Sequence, residues 1–248
     1  MTVFFIGAGP GDPELITVKG QRLIRSCPVI IYAGSLVPMA VLEGHQAVQV
    51  SNSAELHLEQ IIALMKSAHE QGQDVARVHS GDPSLYGAIG EQIRHLRELG
   101  IPFEIIPGVT ATAACAALLE TELTLPDISQ SVILTRYADK TSMPEGESLA
   151  ELAQHKATMA IHLGVNNLPK IVAELTPHYG ADCPIAVVHR ASWPDQDWVM
   201  GTLADIEAKV AEKGFRRTAL ILVGRVLASD AFTESSLYRA GHAHLYRP

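Results

Sequence analysis

Short apolar runs alternate with amphipathic segments in the N-terminal part of the chain. Residues 54–71 place Leu58, Ile61, Ile62 and Met65 on one face, and Gly72 follows, which predicts a helix with a glycine cap. A second helix is predicted over 88–99. The predicted strands are Val3 to Ile6, Pro28 to Tyr32, Val75 to Val78 and Ile101 to Ile106. Because strands separated by helices need crossovers, the pattern predicts a largely parallel sheet.

The second half has a different pattern. After a helix rich in small residues, predicted over 110–119, residues 121–130 lack periodicity and contain Pro126 and Asp127. We therefore predict two α/β domains, 1–120 and 121–248. Residues 193–198 have the composition of a hairpin turn, so the second sheet should be mixed. Its predicted strands are Ser131 to Thr135, Thr158 to Leu163, Ile185 to Val188 and Leu220 to Val223.

Composition limits the classes of partner. The 248 residues are 47% hydrophobic and 19% charged, which is typical of a soluble globular protein. The formal net charge of -8 argues against nucleic acid as a partner. No apolar stretch approaches the length of a membrane span, and the N-terminus lacks a signal-peptide pattern, so we expect a cytoplasmic protein with no membrane partner.

Cysteines and histidines give no metal pattern. Cys27, Cys115 and Cys183 are far apart in apolar or helical surroundings, which predicts buried, reduced thiols. His242 and His244 form the only close histidine pair, without a nearby cysteine or carboxylate partner. We therefore predict no metal site and interpret this pair as part of a solvated tail.

Two glycine-rich loops carry the strongest signal. Gly7 to Pro13 and Ser80 to Gly87 each follow a predicted buried strand. A glycine-rich turn at the carboxyl end of a parallel strand lets the backbone approach a ligand closely. Two such turns predict one bound small molecule. Asp12 and Pro13 also have the composition of a helix start, with aspartate as the N-cap.

The first loop matches a dinucleotide fingerprint only in part. Gly7 and Gly9 have the required spacing, but Asp12 occupies the position of the third glycine, and residues 28–35 contain no acidic residue for a ribose. A nucleotide-dependent oxidoreductase therefore remains only an alternative. Both loops carry an aspartate, Asp12 or Asp82, and neither carries lysine or arginine. This charge pattern suits a cationic or neutral ligand such as S-adenosylmethionine, although helix capping explains both aspartates as well.

Three sequence blocks together resemble the tetrapyrrole (corrin/porphyrin) methyltransferase family. They are Val3 to Thr17, Ser80 to Gly87 and Ile106 to Ala113. Residues 30–37 and 131–147 further resemble the branch that methylates carbon 11 of precorrin-4, giving precorrin-5 in cobalamin biosynthesis. Enzymes of the metal-free and cobalt-loaded routes share these motifs, so both substrates remain open. A tetrapyrrole-binding protein without catalytic activity is a further alternative.

The resemblance implies a fold, a cofactor and a site. The implied fold has two α/β domains with S-adenosylmethionine in the cleft between them, S-adenosylhomocysteine as product, and a homodimer as the assembly. The implied cofactor-binding residues are Pro10, Ser80, Gly81, Asp82, Leu85, Thr110, Ala111, Leu163 and Ala191. Leu163 and Ala191 stand where methionine and glycine are common in relatives.

The implied reaction needs little protein chemistry beyond positioning the two reactants. Asp12 is a candidate proton acceptor, and helix capping explains it equally well. Arg136 is our candidate for contact with a carboxylate of the tetrapyrrole, because arginine forks suit carboxylates. Arg190, Arg216 and Arg217 are further candidates, and for each of the four a surface ion pair is the alternative.

Overall fold

A computed structural model describes residues 1–138, 141–228 and 232–235. Contacts divide the chain into two compact units. The first unit contains Met1–Ala114 and the short segment Arg190–Asp195. The second contains Cys115–His189 and the described residues from Gln196 onward. The predicted division at residues 120 and 121 stays a prediction.

The first unit contains a five-stranded sheet in which every pairing is parallel, as predicted. The strand order is β3-β2-β4-β1-β5. The strands are β1 (Val3–Gly7), β2 (Val29–Tyr32), β3 (Gln49–Asn52), β4 (Val75–His79) and β5 (Phe103–Ile106). The helices are α1 (Val18–Ser26), α2 (Leu58–Glu70), α3 (Ile89–Glu98) and α4 (Ala111–Leu118), the last of which crosses the division between the units.

Both faces of this sheet are buried. Val3 and Phe5 of β1 pack with Met65 of α2 on one face, whereas Ile6 packs with Ile24 of α1 on the other. Side chains alternate between the faces of a strand, and a parallel sheet covered by helices needs apolar residues on both. This is why the central strands are recognisable as continuous apolar runs.

Three local predictions differ from the structure. Asp12 caps only a 3-10 turn, Pro13–Leu15, and α1 begins at Val18 after Thr17, whose hydroxyl accepts the N–H of Gly20. The helix expected from residue 54 begins at Leu58, because Asn52 caps a separate short turn first. Strand β3 was not predicted, since its residues are polar and it lies at the sheet edge.

The second unit contains the mixed sheet that the sequence predicts. Its strands are β6 (Val132–Arg136), β7 (Thr158–His162), β8 (Pro184–His189), β9 (Asp197–Thr202) and β10 (Ala219–Val223), in the order β6-β7-β10-β8-β9. Only β6 and β7 pair in parallel. The α-helices that lie wholly within this unit are α5 (Leu149–Ala153), α6 (Leu168–Tyr179) and α7 (Ile206–Lys213). The predicted hairpin turn at 193–198 overlaps the start of β9.

The cysteines are buried and unpaired, as predicted. Burial raises the pKa of both Cys27 and Cys115 to about 12, and the Asp74 carboxylate adds to the effect at Cys27. In the described ranges, no three or more histidine, cysteine or acidic side chains are grouped to hold a metal ion. Among the helices described, none has the length and apolar character required to cross a membrane. His242 and His244 lie outside the described residues.

Candidate functional site

Three loops lie at the carboxyl edge of the parallel sheet. We call them the first loop (residues 8–12), the second loop (80–88) and the third loop (107–110), which follow the neighbouring strands β1, β4 and β5. Gly9 and Gly81 join the first two loops, because each N–H donates to the other's carbonyl, at 3.3 and 2.8 Å. Both have positive φ, +79° and +63°, a region that glycine enters without strain. The paired loops of the sequence therefore form one continuous backbone surface.

The third loop approaches the same point. A β-carbon on Gly108 would overlap the Gly81 carbonyl oxygen and would lie 2.8 Å from the Gly7 Cα. A β-carbon on Gly7 would lie 2.6 Å from the Gly108 Cα. Real side chains do not tolerate such distances, so Gly7 and Gly108 are required for space and not for an unusual φ.

Asp82 ties the second loop to the third. One carboxylate oxygen accepts the Gly108 N–H at 2.9 Å, and the other accepts the Ser84 N–H at 2.8 Å and the Ser84 hydroxyl. Partial burial raises the pKa of Asp82, but the hydrogen bonds from Ser84 and Gly108 outweigh it and hold the pKa below its ordinary value. An ionised carboxylate is therefore built into this loop junction.

The remaining predicted residues of the first unit lie along these loops. Ser80 and Leu85 are half-buried in the second loop, and Pro10 is buried in the first. Thr110 ends the third loop, and its hydroxyl accepts the Ala113 N–H at 3.2 Å, which caps the start of α4 at Ala111. The structure thus gathers seven predicted cofactor residues at one sheet edge: Pro10, Ser80, Gly81, Asp82, Leu85, Thr110 and Ala111. Their contact with a cofactor stays a prediction.

Asp12 has a local structural role. Its carboxylate accepts the Glu14 N–H at 2.8 Å, and its own N–H donates to the Ser192 hydroxyl at 3.0 Å. Capping, the alternative left open by the sequence, is therefore observed. A role as proton acceptor stays a prediction.

Segment 190–195 contributes to the first unit, although it follows β8 of the second sheet. Ala191 is buried, and its neighbours Arg190 and Ser192 have positive φ, +50° and +71°. The Arg190 guanidinium lies 4.0 Å from the centroid of the Trp193 ring and forms an ion pair with Asp195. Of the predicted residues, Ala191 is thus in the same unit as the three loops.

Leu163 and Arg136 belong to the second unit. Leu163 follows β7, is 68% exposed and has a φ of +55°, which is uncommon for a non-glycine residue. Arg136 ends the adjacent strand, β6, in register with His162. Its guanidinium donates to the carbonyls of Thr141 and Ser142 at 2.9 and 2.8 Å. Arg216 and Arg217 are exposed in the same unit.

Sequence reasoning missed two buried polar residues near the second loop, Arg77 and Gln92, whereas it interpreted His79 as a packed or hydrogen-bonded histidine at a strand end. Arg77 of β4 is only 5% exposed, donates to the Gln92 side-chain oxygen at 3.1 Å, and has its pKa lowered to about 10 by burial. Gln92 in turn donates to the carbonyl of Ala88, at the end of the loop. His79 is buried, and its Nε2 has no hydrogen-bond partner among the described residues. The signal was present, because a charged residue inside an apolar run is unusual.

His79 predicts acid sensitivity of the first unit. Burial, with a smaller contribution from the charge of Arg77, lowers the pKa of His79 from 6.5 to about 3. As the pH falls, His79 therefore takes up a proton near pH 6.5 in the unfolded chain but only near pH 3 in the folded chain. The contribution of neutral His79 to the free energy of unfolding is thus fully present above pH 6.5 and is lost as the pH falls from 6.5 towards 3. Between pH 7 and 5, we expect His79 to account for a loss of about 2 kcal/mol in the free energy of unfolding.

Urea unfolding at the two pH values tests this expectation. Between pH 7 and pH 5, the free energy of unfolding of the His79→Leu variant should fall by about 2 kcal/mol less than that of the wild type. His155→Leu is the matched control, because His155 is exposed. Equal pH dependence in wild type and His79→Leu would contradict the prediction.

The fold and the loops define the class of protein: an α/β protein with two five-stranded sheets and a candidate small-molecule site built from loop backbone at the carboxyl edge of the parallel sheet. The family pattern of the tetrapyrrole (corrin/porphyrin) methylases matches residues 2–207. The chain belongs to this family.

Named relatives and solved structures agree with this assignment. The chain is 77% identical over 248 residues to a precorrin-4 C(11)-methyltransferase of Pseudomonas aeruginosa, covering 100% of this chain and 99% of the relative. A solved cobalt precorrin-4 methyltransferase matches with a TM-score of 0.89 and 42% identity, covering 91% of this chain and 95% of the other. The uroporphyrin-III C-methyltransferase of Thermus thermophilus, solved with S-adenosylhomocysteine, matches with a TM-score of 0.75 and 29% identity, covering 92% and 99%.

Proposed function

We propose that this protein is an S-adenosylmethionine-dependent methyltransferase that methylates carbon 11 of precorrin-4 in cobalamin biosynthesis. The observation that carries the proposal is the 77% identity, over the whole chain, to a relative named for this reaction. The three loops, two of them rich in glycine, support a methyl donor at the carboxyl edge of the first sheet.

The residues of the three loops fit this donor. Residues 8–12, 80–88 and 107–110 contain no lysine or arginine, so the loops offer no cation for a phosphate. S-adenosylmethionine carries a sulfonium and an ammonium group but no phosphate. A β-carbon on Gly81 would find its nearest neighbours at 3.9 Å, on Thr110 and Val109, so the backbone leaves space beside Gly81. We place the donor against Gly81, Asp82, Thr110 and Ala111.

The chain's contribution to the reaction is position. S-adenosylmethionine supplies an activated methyl group when bound. In the proposed transfer, carbon 11 of the electron-rich tetrapyrrole would provide the electron pair of the new bond. The sulfur would retain the pair of the broken bond as a neutral thioether, and the positive charge of the sulfonium would pass to the tetrapyrrole. Loops fixed by backbone hydrogen bonds hold one reactant in line with the other. This positioning lowers the activation barrier by several kcal/mol.

Carboxylates of the tetrapyrrole require cations from a protein of net negative charge. Among the candidates, Arg136 and Arg190 already have partners within the chain, namely loop carbonyls for Arg136 and Asp195 for Arg190. Arg216 and Arg217 are exposed after α7. We propose that at least one of the four arginines Arg136, Arg190, Arg216 and Arg217 contacts a substrate carboxylate, and alanine variants of all four that keep the wild-type substrate KM would overturn this proposal.

Methyl transfer can be measured directly. The protein is incubated with S-adenosylmethionine labelled in the methyl group and with enzymatically generated precorrin-4. We expect label in the tetrapyrrole and formation of S-adenosylhomocysteine. A folded protein that binds the tetrapyrrole without transferring label would instead be a binding protein, and one that binds NAD but not S-adenosylhomocysteine would be an oxidoreductase.

Cobalt-precorrin-4 is the second candidate substrate. It is favoured by the TM-score of 0.89 to a solved enzyme named for the cobalt-loaded substrate. Parallel assays with metal-free and cobalt-loaded precorrin-4 under anaerobic conditions separate the two. The substrate with the higher kcat/KM identifies the route.

We further propose a homodimer, which the family resemblance implies, and a cytoplasmic location, which is the expectation from the sequence. Sedimentation velocity tests the assembly, and cell fractionation tests the location. A monomer at the concentrations used in the activity assay would overturn the proposed homodimer.

A further inference from the structure

The first loop is held from two sides. Gly9 is paired with Gly81 of the second loop, as described above. On the other side, the Trp193 indole N–H donates to the Pro10 carbonyl at 2.8 Å, across 183 positions of sequence. Ser192 accepts the Asp12 N–H at 3.0 Å. The loop backbone between Gly9 and Asp12 therefore has hydrogen bonds to two separate parts of the first unit.

Trp193 also explains Gly11. A β-carbon on Gly11 would overlap the indole Cδ1 and Nε1 and would lie 2.8 Å from Cγ. Gly11 has no positive φ that would favour glycine, and the three atoms nearest to an added β-carbon all belong to the indole. The ring thus lies directly against the loop backbone.

The indole is itself fixed in place. The Arg190 guanidinium stacks on it at 4.0 Å and is held by Asp195, while the Trp193 N–H of the backbone donates to the Arg190 carbonyl at 3.0 Å. A cation stacked on an aromatic ring and fixed by a carboxylate restricts the motion of both side chains. Segment 190–195 is therefore held together by its own contacts at the place where it meets the first loop.

We propose that Trp193 is a positioning residue for the methyl-donor site, acting through the first loop. It holds the Pro10 carbonyl and covers Gly11, so that the loop is already in its binding conformation before the donor arrives. A preorganised loop avoids the cost of ordering on binding. This inference rests on the proposed function and names the residue that shapes its cofactor site.

Binding of S-adenosylhomocysteine, measured by calorimetry at 10 °C, tests the inference. Trp193→Phe keeps a ring over Gly11 but removes the N–H, and we expect Kd to rise about 5-fold. Trp198→Phe is the matched control, because Trp198 lies on β9 and is 42% exposed. Its Kd should equal that of the wild type. A purely structural role for Trp193 would lower the melting temperature of Trp193→Phe and leave Kd at 10 °C unchanged, which would overturn the inference.

A double-mutant cycle tests the contact itself. Gly11→Ala should weaken binding more than about 10-fold in the wild type and less than about 2-fold when added to Trp193→Ala, because the clash is then gone. If Gly11→Ala does not fold, recovery of folding and binding in the double variant supports the same contact. Additive losses would overturn the proposed contact.

The binding experiment also separates this inference from the proposed function. If the wild type fails to bind S-adenosylhomocysteine, the proposed function fails, whereas normal binding by Trp193→Phe refutes only this inference.

Discussion

Gly108→Ala is expected to destabilise the first unit by more than about 3 kcal/mol and to abolish binding of S-adenosylhomocysteine. The added β-carbon would overlap the Gly81 carbonyl oxygen and would also meet the Gly7 backbone. Both groups belong to backbone held by strand or loop hydrogen bonds, so no flexible side chain can move aside. The change would separate the second and third loops at the point where the candidate cofactor residues meet.

Gly90→Ala is the matched control for Gly108→Ala. Gly90 lies in the first turn of α3, and a β-carbon there would meet nothing within 4 Å. Alanine is favoured over glycine in a helix by up to about 1 kcal/mol, so this variant should be as stable as the wild type or slightly more so. Urea unfolding and calorimetry measure both effects. A Gly108→Ala protein with wild-type stability and binding would disprove the close approach of the three loops.

Asp82→Ala should produce the second largest effect. The substitution removes the acceptor of the Gly108 N–H, the Ser84 N–H and the Ser84 hydroxyl. Leaving the half-buried Gly108 N–H without a partner costs about 1–3 kcal/mol, whereas the exposed Ser84 donors can bond to water, so we expect a loss of about 1–3 kcal/mol in stability. Because Asp82 fixes the third loop against the second, the Kd for S-adenosylhomocysteine should rise more than about 10-fold.

Asp82→Asn separates shape from hydrogen bonding. The amide retains one acceptor oxygen, but its NH2 group must face either the Gly108 N–H or the Ser84 N–H, donor against donor. The losses of Asp82→Asn in stability and in affinity for S-adenosylhomocysteine should therefore approach those of the alanine variant. Asp127→Asn is the control, because Asp127 is exposed and its φ of +59° suits asparagine. Wild-type binding by Asp82→Asn would show that the carboxylate clamp is not needed.

The sequence was most informative where structure depends on neighbouring residues. The apolar runs of β1, β4 and β10 predicted buried strands, and the segments between them predicted crossover helices, because periodicity follows local backbone geometry. The polar edge strand β3 has no such pattern. Asp12 had the composition of a helix start and yet caps only a short turn, since tertiary contacts with Ser192 decide the path of the first loop.

The sequence by itself determined the fold class, the mixed character of the second sheet and the positions of the glycine-rich loops, all of which follow from local pattern. The family resemblance added the cofactor class and the candidate residues. Only the tertiary structure decided why Gly7, Gly11 and Gly108 are glycines and what Asp82 and Trp193 hold. Those facts depend on backbone groups, and in the cases of Asp82 and Trp193 on side chains that meet them, brought together from distant parts of the chain, so no local pattern along the sequence encodes them.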